Sequence, residues 1–258
     1  MSKFLNRAIR SVVPYRLLAA GRMAQLKFAN DPQYDERADR RVFFNRAFAL
    51  LRKNNIEGDY AEFGCNGGMT FVLAYQHIQK YSHSKIQRKM WAFDSFRGLP
   101  APKSVKDEHP AWIQGEMLTG QDEFVQILTR SEVPRSCYEL VPGFYEDTIG
   151  KNARAQPAKL PDSIALAYID CDLYSSTTSV LEFLSTRLKH GMVLALDDYY
   201  SLSSSAAAGE RIALIEFFRS IGDKFVVLPY VQYGYAGMSF VLEDRKFTGY
   251  DPMILLSH

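Results

Sequence analysis

The chain has 258 residues, with 31 Lys and Arg against 29 Asp and Glu, a formal net charge of +2. Its 47% hydrophobic content is typical of globular proteins and excludes disordered, collagen-like and disulfide-scaffold classes. A charge this close to neutral argues against nucleic acid as a partner, because phosphate binding requires a clear excess of Lys and Arg. The length fits one α/β domain or two small ones, and we expect one.

Cysteines and apolar runs predict the compartment. The three cysteines, Cys65, Cys137 and Cys171, are widely separated and form no C-x-x-C pair, which favours a reducing environment. No run approaches the roughly 20 apolar residues that span a bilayer, so no transmembrane segment is predicted. We therefore expect a cytoplasmic protein.

The first 30 residues are basic and contain no acidic residue. Apolar residues recur at helical spacing from Phe4 to Val12, which predicts a basic amphipathic helix. Two interpretations stay open: the helix packs on the domain or on a partner subunit, or it contacts an anionic membrane surface. After a highly charged stretch, a second helix is predicted from Val42 to Leu51.

From Gly58 onward, short β-rich runs alternate with helical stretches. Strands are predicted at 59–63, 90–93, 137–141, 164–169, 192–196, 225–228 and 238–242. Helices are predicted at 70–81, 122–130, 176–188 and 210–220. This alternation is typical of a doubly wound, largely parallel sheet, in which ligands bind beyond the carboxyl ends of the strands.

A glycine-rich loop, Glu-Phe-Gly-Cys-Asn-Gly-Gly at 62–68, follows the first strand. Glycine permits a tight turn and close approach of a ligand, and the next helix presents free N–H groups. Asp94 ends the second strand, where a carboxylate accepts hydrogen bonds from ribose hydroxyls. The loop lacks a glycine of the dinucleotide fingerprint and instead resembles the first motif of class I S-adenosylmethionine-dependent methyltransferases. The alternative, a purely structural turn, is disfavoured by Asp94.

Three carboxylates follow two later strands: Asp170 after one, and Asp197 and Asp198 after the next. One right-handed crossover fits the interval, so the carboxylates can converge. Like charges in one crevice repel unless a cation compensates them, and oxygen ligands without Cys or paired His favour Mg²⁺. The alternative is that these residues cap helices, which suits one Asp better than three.

A metal ion beside a methyl donor has a clear chemical use. It lowers the pKa of an acceptor hydroxyl and orients that hydroxyl for attack on the methyl group. Asp170, or its neighbour Asp172, is the candidate to accept the proton. His109, in the polar 100–118 segment, is a further candidate base.

Five stretches of the chain resemble the macrocin O-methyltransferase family, Mg²⁺-dependent enzymes that methylate sugar hydroxyls of antibiotics. They are 59–68, 91–100, 143–148, 169–177 and 196–199; Asp-Ser-Phe-Arg-Gly-Leu-Pro within the second and Asp-Cys-Asp-Leu-Tyr-Ser-Ser-Thr within the fourth are the specific ones. The resemblance implies a Rossmann-like class I fold, with a seven-stranded, mostly parallel sheet, an antiparallel last strand and helices on both faces. It implies one methyltransferase domain over 1–258, with 1–55 as a helical extension or lid and 56–245 as the catalytic core.

The resemblance also implies roles for numbered residues. The residues implied to bind S-adenosylmethionine are Glu62, Gly64, Asn66, Gly67, Gly68, Asp94 and Ser95. The residues implied to bind Mg²⁺ are Asp170, Asp197 and Asp198, and Asp170 is also implied as the base that accepts the proton of the acceptor hydroxyl. The Ser- and Ala-rich loop from Ser203 to Gly209 would line the acceptor pocket.

The predicted activity is methyl transfer to a hydroxyl of a sugar, a sugar-containing metabolite or a glycan. One alternative is a non-sugar acceptor such as a catechol. Another is a non-catalytic binding module with the same fold, which the gathered carboxylates disfavour. Because family members associate, we expect a homo-oligomer.

Overall fold

The structure, a computed structural model, describes residues 15–29, 31–82, 87–151, 153, 157–201 and 209–248. The predicted apolar stripe from Phe4 to Val12 lies outside these residues. So does the loop from Ser203 to Gly209, except for Gly209 itself.

The described residues contain a seven-stranded sheet. Its strands are β1 (Asp59–Phe63), β2 (Met90–Asp94), β3 (Tyr138–Pro142), β4 (Ile164–Ile169), β5 (Val193–Leu196), β6 (Phe225–Tyr233) and β7 (Gly237–Asp244). The order across the sheet is β3-β2-β1-β4-β5-β7-β6, with β1 to β5 parallel and β7 antiparallel to both of its neighbours. The predicted doubly wound sheet with an antiparallel last strand is confirmed.

Helices cover both faces of the sheet. They are α1 (Tyr15–Phe28), α2 (Pro32–Lys53), α3 (Met69–Tyr81), α4 (Gln121–Arg130), α5 (Tyr145–Thr148), α6 (Tyr174–Leu184), α7 (Glu210–Ser220) and α8 (Arg245–Thr248). Within the described part of the chain, none of the helices is both long and apolar enough to cross a bilayer.

The helices differ from the prediction mainly at two boundaries and in two additional short helices. Helix α2 begins at Pro32 rather than at Val42, because the Asp31 side chain caps it by accepting from the Gln33 amide at 2.9 Å and a proline stands at its first position. Helix α6 ends at Leu184, short of the predicted 188. The single-turn helices α5 and α8 were not predicted, because four residues are too few to show a helical period.

Aromatic side chains of α2 form a large part of the core on one face of the sheet. Phe43 stacks on Tyr233 of β6 with ring centroids 4.3 Å apart, and Phe44 stacks on Tyr168 of β4 at 5.3 Å. Both phenylalanines are fully buried. Although α2 lies before the predicted boundary at residue 55, its apolar side therefore belongs to the core of the sheet.

We predict that Phe44→Ala lowers the free energy of unfolding by about 3 to 5 kcal/mol, because it leaves a cavity between α2, β1 and β4. Val42, on the same helix, is 46% exposed, so Val42→Ala is expected to change stability by only about 0.5 kcal/mol. Urea unfolding followed by circular dichroism measures both values. Equal losses in the two variants would contradict the packing described for α2.

Candidate active site

A cleft opens at the carboxyl ends of β1 and β4, where the strand order reverses direction. In sheets of this kind the reversal point is the usual ligand site. Of the residues predicted for the site, those that line the cleft are Gly64, Asn66, Asp94, Ser95 and Asp170. The others, which lie behind or beside the lining, are Glu62, Gly67, Gly68, Asp197 and Asp198.

Gly64 brings the two central strand ends into contact. Its φ is +92°, and a Cβ there would overlap the carbonyl oxygen of Asp170. The Gly64 amide donates to the Phe93 carbonyl at 2.9 Å, and the Asp170 amide donates to the Phe63 carbonyl at 2.8 Å. A residue with a side chain at position 64 would therefore push apart β1 and β4, which carry the two halves of the cleft.

The rest of the glycine loop is held by a residue that sequence reasoning missed. Thr119 lies between β2 and α4; its Oγ1 accepts from the Gly67 amide at 2.8 Å and donates to Asn66 Oδ1 at 2.7 Å. Gly68 leaves little room for a side chain, since a Cβ there would lie 3.3 Å from the Phe124 ring. Gly67 and Gly68 therefore shape the loop, while Asn66 faces the cleft.

Asp94 is the last residue of β2, and backbone amides donate hydrogen bonds to both of its carboxylate oxygens. Oδ2 accepts from Cys65 and Oδ1 accepts from Phe96, each at 2.6 Å. Burial raises the pKa of this carboxyl, and these two amides oppose the rise. Each carboxylate oxygen keeps a further lone pair for a ligand hydroxyl. Ser95 supports the turn beneath, since its Oγ donates to the Gly98 carbonyl at 2.9 Å.

Glu62 lies behind the lining of the cleft, and its predicted role in cofactor binding stays a prediction. It is fully buried, and its two oxygens accept from the hydroxyls of Tyr60 and Thr70. Burial is the main reason that its pKa rises from 4.5 to about 8, although both hydrogen bonds lower it. Because Thr70 is in the first turn of α3, Glu62 ties β1 to the helix that follows the glycine loop.

Four aspartates converge at the ends of β4 and β5; we refer to Asp170, Asp172, Asp197 and Asp198 as the acidic cluster. Burial, followed by the charges of the other members, raises the pKa of Asp170 and Asp172 well above the ordinary value and also raises that of Asp198. The predicted convergence of these strand ends is therefore present.

Asp197 is engaged by two residues that sequence reasoning did not identify. Arg40 of α2 forms a two-pronged contact with it: Nε donates to Oδ1 at 3.1 Å, and Nη2 donates to Oδ2. The Tyr168 hydroxyl also donates to Oδ1. Arg40 in turn pairs with Glu36 one helical turn earlier, with Nη1 2.9 Å from Oε1.

The donor set of the acidic cluster fits a divalent cation in chemistry and in charge. Four carboxylates face one guanidinium, so the site is short of positive charge, and all the available ligands are the hard oxygens that Mg²⁺ prefers. Among the residues that the structure describes, no three His, Cys, Asp or Glu side chains already form a metal-ion site. Both oxygens of Asp197 accept hydrogen bonds from Arg40 and Tyr168.

The N-cap residues of α6 and α7 are Leu173 and Gly209, and neither provides a side-chain cap, so no aspartate of the cluster caps these two helices. The His109 ring lies 4.5 Å from the Trp112 ring, centroid to centroid, at an angle of 36°, and His109 does not line the cleft. Trp112 is buried next to Gly209, close to the Asp172 backbone.

A fifth carboxylate lies next to the acidic cluster. Glu210, the first residue of α7, is fully buried and accepts from the amides of Cys171 and Asp198. An acidic residue in the first turn of a helix is common, so the sequence carries no sign of this contact. The contact between Arg40 and Asp197, which are 157 positions apart, likewise has no signature in the sequence.

We predict that Glu62→Gln reduces the loss of stability at alkaline pH. With a pKa of about 8 in the folded chain against 4.5 normally, Glu62 holds a proton that the unfolded chain releases, so stability falls as pH rises through this window. The contribution is about 1.4 kcal/mol per pH unit. Unfolding at pH 5 and pH 9 should therefore differ less in the variant than in the wild type. Exposed Glu123→Gln controls for the change in charge, and an unchanged pH dependence in Glu62→Gln would contradict the assignment.

We also predict strong coupling between Arg40 and Asp197. Arg40→Gln leaves the buried Asp197 without its cationic partner and with only the Tyr168 hydroxyl, so it is expected to cost about 2 kcal/mol or more in the wild-type background. The cost should shrink in Asp197→Asn, with an interaction energy of about 1 to 3 kcal/mol in the double-mutant cycle. Urea unfolding of the four proteins measures it, and additive losses would show that the contact contributes nothing to stability.

Comparison with known proteins agrees with this fold. A family model described as macrocin-O-methyltransferase (TylF) matches residues 37–215. The 8-demethyl-8-(2,3-dimethoxy-alpha-L-rhamnosyl)-tetracenomycin-C 4'-O-methyltransferase of Streptomyces olivaceus is 28% identical over 156 residues, which cover 57% of this chain and 54% of that protein. The demethyldecarbamoylnovobiocin O-methyltransferase of Streptomyces niveus is 28% identical over 155 residues, with the same coverage. The chain thus spans about half the length of these two relatives.

Solved structures show the same fold. The calicheamicin methyltransferase CalS11 has a TM-score of 0.63 at 21% identity, covering 89% of this chain and 93% of that one. The O-methyltransferase NovP has a TM-score of 0.61 at 19% identity, covering 79% of both chains. Because the family model matches more than half of the residues, including the glycine loop and the acidic cluster, the chain belongs to the macrocin-O-methyltransferase family.

Proposed function

We propose that this protein is an S-adenosylmethionine-dependent O-methyltransferase that acts on a hydroxyl of a sugar or a sugar-containing molecule. The observation that carries the proposal is the cleft between β1 and β4. Asp94 lines one half of it and Asp170 with Asp172 lines the other. Family membership supports a methyltransferase, and the rhamnosyl group in the name of the Streptomyces olivaceus relative supports a sugar acceptor.

The half of the cleft formed by β1 and β2 would hold the cofactor. S-adenosylmethionine supplies a methyl group on a positively charged sulfur. Asp94 would accept hydrogen bonds from the ribose hydroxyls, because its oxygens are fixed by the Cys65 and Phe96 amides. Gly64 and Asn66 would lie against the methionine part, because both line this half of the cleft.

The half formed by β4 and α6 would hold the acceptor. Ser175, Ser176 and Ser179 line the cleft together with Asp170 and Asp172, so this wall presents hydroxyls and carboxylates. Such groups match the many hydroxyls of a sugar. A flat apolar acceptor such as a catechol would be better matched by hydrophobic walls, so this wall favours the sugar, while the apolar lining residues Leu99, Met117 and Phe144 lie elsewhere in the chain.

Within the acidic cluster, we propose that Asp170 accepts the proton of the acceptor hydroxyl. It lines the cleft, and a carboxylate there can accept the proton of a bound hydroxyl. Asp170, Asp197 and Asp198 would hold Mg²⁺, which lowers the pKa of the acceptor hydroxyl when bound. Arg40 would keep Asp197 oriented from α2.

Two substitutions separate cofactor binding from chemistry. Asp94→Asn removes a charged acceptor from the ribose site, so calorimetric titration should show S-adenosylmethionine binding weakened about tenfold or more. Asp170→Asn should bind the cofactor as the wild type does and lose about 100-fold or more in methyl transfer, because it cannot accept a proton. Asp122→Asn, an exposed change on α4, is the matched control. Unaltered cofactor binding by Asp94→Asn, or unaltered transfer by Asp170→Asn, would refute the respective assignment.

A further inference from the structure

Glu210 joins the ends of two neighbouring strands with a single carboxylate. Its Oε1 accepts from the Cys171 amide at 3.2 Å, and its Oε2 accepts from the Asp198 amide at 3.0 Å. Cys171 stands between Asp170 and Asp172 after β4, while Asp198 follows Asp197 after β5. The two backbone segments that carry the acidic cluster are therefore held by one side chain.

The burial of the Glu210 carboxyl beside the acidic cluster is electrostatically unfavourable. Glu210 is fully buried, and burial followed by the charges of Asp198, Asp172 and Asp197 raises its pKa well above the ordinary value. In the described part of the chain no Lys or Arg pairs with it. A buried carboxylate beside four others is unfavourable unless hydrogen bonds compensate it, and the amides of Cys171 and Asp198 supply these hydrogen bonds.

The backbone around Glu210 leaves it little freedom. Gly209, the preceding residue, has a φ of +66°, and a Cβ there would lie 2.5 Å from the Trp112 ring and 2.9 Å from the Asp172 carbonyl oxygen. The Gly209 amide donates to the Lys106 carbonyl at 2.8 Å. The start of α7 is thus fixed against both the acidic cluster and the segment that carries Trp112.

We propose that Glu210 is a positioning residue that holds the ends of β4 and β5 at the separation in which the acidic cluster binds a divalent cation. Its side chain contacts only backbone amides of the cluster, so it acts through Asp170, Asp172, Asp197 and Asp198 rather than on a ligand. The inference rests on the proposed function, because it assumes that the cluster binds Mg²⁺.

Substitution of Glu210 tests this role in the full chain. In Glu210→Gln, the amide nitrogen cannot accept, so one of the two backbone contacts is lost at nearly constant size. Calorimetric titration with MgCl₂ alone should show affinity weakened about tenfold or more, in line with the loss of an outer partner of a metal site. Titration with S-adenosylmethionine alone should match the wild type, because the cofactor half lies on β1 and β2.

Two further variants make the test specific. Glu210→Asp keeps the charge but is one methylene too short to span both amides, so it should also bind Mg²⁺ more weakly and serves if Glu210→Gln fails to fold. Glu216→Gln is the same substitution at an exposed position of α7 and should leave both affinities unchanged. Wild-type Mg²⁺ affinity in Glu210→Asp would show that only charge matters and would overturn the positioning role.

The remaining outcomes separate this inference from the proposed function. A wild-type chain that binds Mg²⁺, beside a Glu210→Gln variant that binds it equally well, overturns the inference alone. An equal loss of Mg²⁺ and cofactor affinity in Glu210→Gln shows a general structural defect and also overturns it. A wild-type chain that binds S-adenosylmethionine but no Mg²⁺ overturns both the inference and the metal part of the proposed function.

Discussion

Repulsion among buried carboxylates is the constraint on which the rest of this site depends. The carboxyl ends of β4 and β5 place four aspartates within reach of one another, and the start of α7 adds Glu210. A fold stabilised mainly by its core has no reason to gather these charges, since each is buried at a cost. Hydrogen bonds from backbone amides, from the Tyr168 hydroxyl and from the Arg40 guanidinium offset part of this cost.

That guanidinium links the N-terminal part of the chain to the chemistry. The phenylalanines of helix α2 pack against Tyr168 and Tyr233. Arg40 of the same helix donates a hydrogen bond to Asp197. Tyr168 takes part in both contacts: its ring packs against Phe44 and its hydroxyl donates to Asp197. A change in the packing of α2 is therefore expected to alter the electrostatics of the site, although α2 lies more than 140 residues before Asp197 in the chain.

Much of the fold and part of the site were predictable from the sequence. Strands that are buried on both faces, such as the Ile164–Ile169 run, read as continuous apolar segments, and the residues that end them are short polar or acidic ones. Gly64, Asp94 and Asp170 could be assigned because each follows such a strand directly. The role of Glu62 was implied by the family resemblance and stays a prediction; this residue lies inside β1, and its carboxylate accepts from the hydroxyls of Tyr60 and Thr70.

The residues that sequence reasoning missed share a physical feature. Arg40, Thr119 and Glu210 all act across long separations in the chain, from a helix surface, an irregular segment and a helix start. Charged residues on helices are ordinarily exposed, so nothing local distinguishes Arg40 or Glu210 from a solvated side chain. Their contacts follow only from the way in which α2 and α7 pack on the sheet.

The most direct test of the account is to identify the atom that receives the methyl group. The protein would be incubated with Mg²⁺, S-adenosylmethionine labelled with ¹³C in its methyl group, and a set of rhamnosides, other glycosides and catechol, and the products would be examined by NMR. The account predicts a new O-methyl carbon on a sugar oxygen, absent when Asp170→Asn replaces the wild type. Label on catechol alone, or no transfer to any acceptor by a protein that binds the cofactor, would contradict it.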